Sequence, residues 1–233
     1  KEGLETHIGS VLKPLFNVRN APLEGATRGI GFQLVQGLGV LPKKMVGKQL
    51  KALNNEGYSS LRRLGVKVGR QDIYLPALLK PKAAALASLL WAVFQELKQM
   101  PSPLPPGRAS LPRDPTLPLQ FYNVAGFRLT GPLLLRVDIR ERLLGQIRRR
   151  VSQGPFAVDT ELLNLVGCTS EEIGGVFVAL GCQIKVKDGE TLYNKDLKNA
   201  GRKQRRGFNR TRQSDILDRE SPFSKLKNLT VRS

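Results

Sequence analysis

The segment from 201 to 212, GRKQRRGFNRTR, concentrates the side chains best suited to binding a polyanion. It holds six cationic residues, no acidic residue and one phenylalanine in twelve positions. Guanidinium groups make paired hydrogen bonds to phosphates, and aromatic rings stack on unpaired bases. We therefore predict that residues 202–212 are disordered in the free protein and become ordered along RNA, through Arg202, Lys203, Arg205, Arg206, Phe208, Arg210 and Arg212. The alternative is a solvated end without a partner.

A second set of cations lies on a predicted amphipathic helix that we expect Asp138 to cap. Its apolar face consists of Ile139, Leu143, Leu144, Ile147 and Val151. The arginines lie largely on the rest of the helix, at 140, 142, 148, 149 and 150. Further cations lie on a hairpin predicted around Asp188-Gly189. From these two elements we predict phosphate contacts by Arg148, Arg149, Arg150, Lys185 and Lys187.

Catalytic patterns are missing from this sequence. A phosphate-binding loop needs G-x-x-x-x-G-K-[ST], and the nearest stretch, GVLPKKMVGKQ at 39–49, has the wrong glycine spacing and Gln49 in place of the hydroxyl residue. No Asp-Glu dipeptide is present to hold the magnesium of a nucleotide. The single histidine, His7, has no partner signature. We predict that the chain is not an enzyme and binds no cofactor or metal.

The two cysteines, Cys168 and Cys182, are predicted to be buried free thiols. A helix between them would hold them about 20 Å apart, which is too far for a disulfide. Cys168 adjoins a predicted helix start, which can lower the pKa of a thiol, but its apolar neighbours Leu165 and Val166 favour burial. A reducing compartment fits this pattern.

The charge balance points to a polyanionic partner. The 233 residues include 38 Lys and Arg against 19 Asp and Glu, for a net charge of +19. Nucleic acid and an anionic membrane are the two candidates. The most apolar stretch, AAALASLLWAVF at 83–94, is too short to cross a bilayer, so we predict a core helix there and no membrane insertion.

Composition divides the chain into four parts. Residues 101–118 contain seven prolines and are predicted to be a semi-rigid linker. We predict a helical unit with a short hairpin at 1–100, a winged-helix-like unit at 119–197 and a basic tail at 198–233. The predicted fold class is α+β, mainly α. The chain begins with Lys1, which we take as a processed or truncated end.

Two patterns define the units. In the first, Leu86, Leu89, Leu90, Val93, Phe94 and Leu97 recur at spacings of three and four and predict a buried stripe. In the second, three helices precede a hairpin, and Thr169 with Glu172 forms a capping box at the third helix. That helix presents Glu171 and Glu172 at its start, where a major-groove reader needs Arg, Lys, Asn or Gln. Sequence-specific DNA reading is therefore not expected.

Several segments resemble one protein family. The most specific is GVKVGRQDIYLPALLKP at 65–81, and the others are TRGIGFQLV, FYNVAGFRL, VDIRERL, LLNLVGCTSEEIGGVFVALG and SPFSKL. Together they are similar to the C-terminal accessory region of alphaproteobacterial superfamily-II helicases, relatives of the RNA helicase of the mitochondrial degradosome. The resemblance implies a nucleic-acid-associated module without the motor domains.

Two functions are compatible with this resemblance. The first is a structural RNA-binding protein of a mitochondrial ribosome or a similar ribonucleoprotein, in contact with ribosomal RNA and neighbouring proteins in the mitochondrial matrix. The second is the accessory C-terminal part of an ATP-dependent RNA helicase whose motor lies outside this chain, for which a bacterial cytoplasm is the alternative location. The high positive charge favours RNA as the partner in both.

Overall fold

The computed structural model describes residues 2–97, 101–187 and 189–194. Over this part the protein is α+β and mainly helical, with small sheets, which confirms the predicted fold class. The helices are α1 Glu2–Val11, α2 Lys13–Asn20, α3 Gly25–Gln36, α4 Gly47–Lys51, α5 Asn55–Arg63, α6 Pro81–Phe94, α7 Leu119–Val124, α8 Val137–Val151, α9 Thr160–Val166 and α10 Ser170–Ala179. The strands are β1 Val40–Pro42, β2 Lys67–Val68, β3 Asp72–Tyr74, β4 Ser110–Pro112, β5 Phe127–Thr130, β6 Leu133–Arg136, β7 Gln183–Lys187 and β8 Glu190–Asn194.

The described residues divide into two compact units. The first contains the chain up to Gly107 together with Thr116–Phe127. The second contains Arg108–Pro115 and the described residues from Arg128 to Asn194. Both units therefore draw on the proline-rich run at 101–118, where Ser110–Pro112 forms an edge strand.

The first unit is built around α3, which packs against α2, α4 and α5. Its sheet has the order β1-β3-β2 and is antiparallel, with Pro42 opposite Asp72 and Lys67 opposite Tyr74. The predicted hairpin is β2–β3. The edge strand β1 was not predicted, because a proline is typical of the first position of a helix. Instead Pro42 ends the strand, and a 3-10 helix, Lys43–Val46, leads into α4.

The most buried face of α6 lies beside the predicted stripe, of which Leu86, Leu90, Phe94 and Leu97 are half-buried. Its buried residues are Ala83, Ala87, Ser88, Trp91 and Ala92. The predicted core residues Leu89 and Val93 are 47% and 57% exposed. Trp91 packs against Phe121 of α7, with ring centroids 6.3 Å apart. The face formed by one tryptophan and small residues therefore contacts the neighbouring elements, and the leucine spacing did not reveal this.

A hydrophobic core cluster of the second unit is formed by strand β6, helices α8–α10 and the β7–β8 hairpin. Thirteen buried residues make it up: Leu133, Leu135, Leu143, Leu144, Ile147, Leu162, Val166, Ile173, Val176, Phe177, Leu180, Cys182 and Tyr193. The prediction that Ile173, Val176, Phe177 and Leu180 are buried is confirmed. Strand β6 lies between β4 and β5 in a separate sheet.

Two predicted local signals of this unit, the capping box and the hairpin, are confirmed. Thr169 and Glu172 form both hydrogen bonds of the capping box, which begins α10. Asp159 caps α9 by accepting a hydrogen bond from the Leu162 N–H at 3.0 Å. The β7–β8 hairpin is confirmed, with Lys187 opposite Glu190 across a two-residue turn.

The described helices were also compared with the length and apolarity that a membrane span requires. None of them meets both requirements alone. Helices α9 and α10 meet them only as a pair, which is bent by 78°.

Candidate nucleic-acid interface

Helix α10 is packed inside its unit along the face that carries two glycines. A Cβ atom on Gly175 would lie 2.8 Å from Pro132 Cδ in the turn between β5 and β6. A Cβ atom on Gly174 would lie 2.9 Å from the hydroxyl oxygen of Tyr193 on β8. The two glycines therefore permit close packing on both sides of the helix.

The rest of α10 does not suit base reading. Its exposed positions include Glu171 and Val178, which is 50% exposed. Direct reading of the major groove requires donors and acceptors from residues such as Arg, Lys, Asn or Gln. A carboxylate there would be repelled by phosphates. The exposed side chains of α10 therefore lack the Arg, Lys, Asn and Gln donors that base reading uses.

Helix α8 carries the densest group of exposed arginines in the described part of the chain. Its apolar face is buried, since Ile139, Leu143, Leu144 and Ile147 all lie in or against the core. Arg142, Arg148 and Arg149 are exposed. None of these three guanidinium groups forms a hydrogen bond or ion pair with the described residues. They are therefore available to an external anion.

Arg150, which was predicted to contact phosphate, faces α9 instead. Its side chain is 20% exposed and forms ion pairs with Asp159 and Glu161, the latter at 2.8 Å. Gln146 of α8 also donates to Glu161, at 3.1 Å. These contacts join α8 to α9, so Arg150 has a structural role here.

The same network affects the acidity of Asp159. Burial by itself would raise the pKa of this carboxyl. The hydrogen bond from the Leu162 N–H and the contact with Arg150 outweigh burial, so the pKa lies below its ordinary value of 3.8. Asp159 is therefore ionised at neutral pH and caps α9 in its stronger, charged form.

The start of α8 differs from the prediction. Arg136 occupies the N-cap position, and no side chain caps this helix end. Asp138 instead accepts two hydrogen bonds from Arg136, at 2.7 and 3.0 Å. The expectation that Asp138 caps the helix was wrong, because the helix begins one residue before it.

The hairpin lysines form a second basic group. Lys185 and Lys187 are exposed on β7 and lie on the same face of the hairpin. Lys187 is opposite Glu190, whereas Lys185 is opposite Leu192. Phe156, which follows α8, exchanges two backbone hydrogen bonds with Tyr193 of β8, at 2.7 and 3.0 Å. This links the chain after α8 to the hairpin.

The candidate catalytic side chains have no supporting geometry. His7 is exposed on α1. Burial, and then the charge of Glu172, raise the pKa of Cys168 to about 11, so the predicted effect of the helix start is outweighed. Cys168 is half-buried and Cys182 is buried, and both are free thiols. No group of three or more His, Cys, Asp or Glu residues in the described segments could hold a metal ion.

The remaining predicted RNA contacts are in the basic tail. Arg202, Lys203, Arg205, Arg206, Phe208, Arg210 and Arg212 lie outside the described residues. The exposed arginines of α8 are therefore the part of the predicted interface that can be argued from geometry. Comparison with known proteins finds no matching family model, no matching curated protein and no matching solved structure.

Proposed function

We propose that this chain is a non-catalytic RNA-binding structural protein, derived from the C-terminal region of a helicase and belonging to a mitochondrial ribosome or a similar ribonucleoprotein. The observation that carries the proposal is the exposed arginine group of α8, whose guanidiniums have no partner among the described residues. The net charge of the whole chain, +19, also favours a polyanionic partner. A mitochondrial matrix location accompanies this function.

The second unit supports the proposal through its arrangement. Helices α8, α9 and α10 are followed by the β7–β8 hairpin, and we infer a winged-helix-like unit from this order. In this unit the third helix is packed against its neighbours, so binding is assigned to α8 and the hairpin. Such contacts go to phosphates and provide affinity without sequence preference.

A second function is favoured by the resemblance of segment 65–81 and the other quoted segments to helicase C-terminal regions. In that case the chain is the accessory part of an RNA helicase whose motor lies outside it. The two proposals share RNA binding and differ in their partner. An upstream reading frame that encodes motor domains would favour the helicase, and co-sedimentation with a ribosomal subunit would favour the structural protein.

The experiment that tests the shared claim measures RNA affinity of the full chain against salt concentration. We expect binding whose logarithm falls linearly with the logarithm of salt. A variant with Arg202, Arg205, Arg206 and Arg210 changed to Ser should have a slope shallower by roughly 2.5 to 4 units if the tail contacts phosphates. ATP turnover should be absent with and without RNA. Failure of the wild-type chain to bind RNA would overturn the proposal.

A further inference from the structure

A glycine lies in the middle of α8 without a packing reason. Gly145 is the ninth residue of this 15-residue helix, and a Cβ atom placed on it would have no neighbour within 4 Å. Glycine is among the poorest helix formers, so an open position in a helix interior favours alanine. Gly174 and Gly175 of α10, by contrast, have close neighbours that explain them.

The residues around Gly145 are mostly arginines. On a helix surface, the neighbours of a residue lie three and four positions away. For Gly145 these are Arg142, Arg148 and Arg149, all exposed, and Glu141, which is half-buried and has an interaction of its own. The missing side chain therefore leaves a shallow depression with three guanidinium groups at its rim. We call Arg142, Gly145, Arg148 and Arg149 the arginine platform.

The dimensions of the arginine platform suit a phosphate group. Arg142 and Arg149 are seven residues apart, which corresponds to about 10 Å along the helix axis. Two long side chains extending from opposite sides can both reach a group seated over the glycine between them. Without a side chain at that position, the backbone of a partner can approach the helix closely.

We propose that the arginine platform seats a phosphodiester of bound RNA directly over Gly145, with Arg142 and Arg149 donating to it from opposite sides. This inference rests on the proposed RNA binding and adds Gly145 to the exposed arginines that carry it. It also leaves out Arg150, whose guanidinium is engaged by α9. Duplex and single-stranded RNA both present the required phosphates, and no base contact is involved.

The test fills the depression without changing the charge. Gly145→Gln adds a neutral side chain with good helix propensity, so the thermal unfolding midpoint should stay the same or rise. RNA affinity should fall by about tenfold if one charge-assisted contact is lost, and the salt slope should become shallower by about one unit. The matched control is Gly9→Gln on α1, where a Cβ atom also has no neighbour within 4 Å. This control should bind RNA as the wild type does.

The failure of the arginine platform and the failure of the proposed function give different results. If the wild type binds RNA and Gly145→Gln binds equally well with the same slope, the platform is wrong and RNA binding stands. If the wild type fails to bind RNA, the proposed function fails and the platform falls with it. If Gly145→Gln weakens binding to phosphatidylserine-containing vesicles but not to RNA, the surface is a lipid site and the proposal is overturned.

Discussion

Arg149 and Arg150 are adjacent in sequence and differ in what their side chains contact. Arg149 is exposed and has no side-chain partner among the described residues. Arg150 is held by Asp159 and Glu161 and is mostly buried. A basic run in sequence therefore contains residues with different roles. Only the position of α9 distinguishes them, and this position is set by the core of the second unit.

The different contacts of Arg149 and Arg150 predict that one substitution affects mainly stability and the other mainly RNA binding. Arg150→Ser should lower the free energy of unfolding by about 1 kcal/mol, because it removes the ion pairs that join α8 to α9. Arg149→Ser should change stability by less than about 0.5 kcal/mol but weaken RNA binding. Urea unfolding and RNA titration of both variants check this. Equal effects of the two substitutions on both measurements would contradict the assignment.

The contribution of Arg150 also depends on pH. Because folding lowers the pKa of Asp159, the stabilisation is fully present above the ordinary value of 3.8 and is lost as pH falls through the lower folded value. The difference in stability between the wild type and Arg150→Ser should therefore shrink in acid. A difference that stays constant from neutral pH into this range would argue against the Asp159 contact.

Cys168 provides a second prediction at the residue scale. Since its pKa is raised to about 11, the protonated thiol predominates at neutral pH. Alkylation by iodoacetamide, followed by peptide mass mapping, should be slow at neutral pH and should accelerate only as pH approaches that value. An alkylation rate at neutral pH equal to that of an unfolded peptide containing the same cysteine would contradict the raised pKa.

At the scale of elements, the close packing of the β5–β6 turn on α10 can be tested with glycine. Gly131 has φ of +63°, and a Cβ atom on it would lie 2.5 Å from the Gly175 carbonyl oxygen. Gly167 has a similar φ of +69°, but a Cβ atom there would have open space. Alanine substitutions at these two glycines therefore distinguish two free-energy costs, that of a left-handed backbone conformation and that of steric overlap.

Gly131→Ala should therefore destabilise the protein more than Gly167→Ala. We expect a loss of about 1 kcal/mol for Gly167→Ala from the left-handed conformation alone. For Gly131→Ala we expect about 3 kcal/mol, because overpacking adds to the same conformational cost. Urea unfolding of both variants measures the difference. Equal losses would mean that the turn does not pack tightly against α10.

Elements with strong local signals were predictable from sequence. The capping box at Thr169, the hairpin around Gly189 and the buried face of α10 each depend on residues close together in the chain. Strands β1, β4, β5 and β6 were not predicted. Of these, β1 and β4 have three residues each, end in proline and pair with a strand far away in sequence. Both are edge strands, where proline is tolerated.

The candidate site was predictable only in part for the same reason. The basic side of α8 follows from helical spacing, and the exposure of Arg148 and Arg149 agrees with it. The engagement of Arg150 depends on how α9 packs, which the spacing does not show. The sequence shows that Gly145 lies among arginines. Only the structure shows that a Cβ atom placed on it would have no neighbour within 4 Å.

At the scale of the whole molecule, positive charge is spread over both units as well as the tail. Exposed arginines of the first unit include Arg19, Arg28 and Arg62. A test of RNA binding at α8 therefore has to distinguish contact at this helix from the general attraction of a basic protein to RNA. Salt dependence makes this separation, because each phosphate contact releases counterions and adds to the slope.

The most direct measurement compares two variants that remove the same charge. One changes Arg142, Arg148 and Arg149 to Ser, and the other changes Arg19, Arg28 and Arg62 to Ser. RNA affinity is measured against salt concentration for both and for the wild type. We expect the salt slope of the first variant to be shallower than that of the wild type by roughly two units, with little change for the second. Equal slopes for the two variants would contradict the assignment of RNA binding to α8.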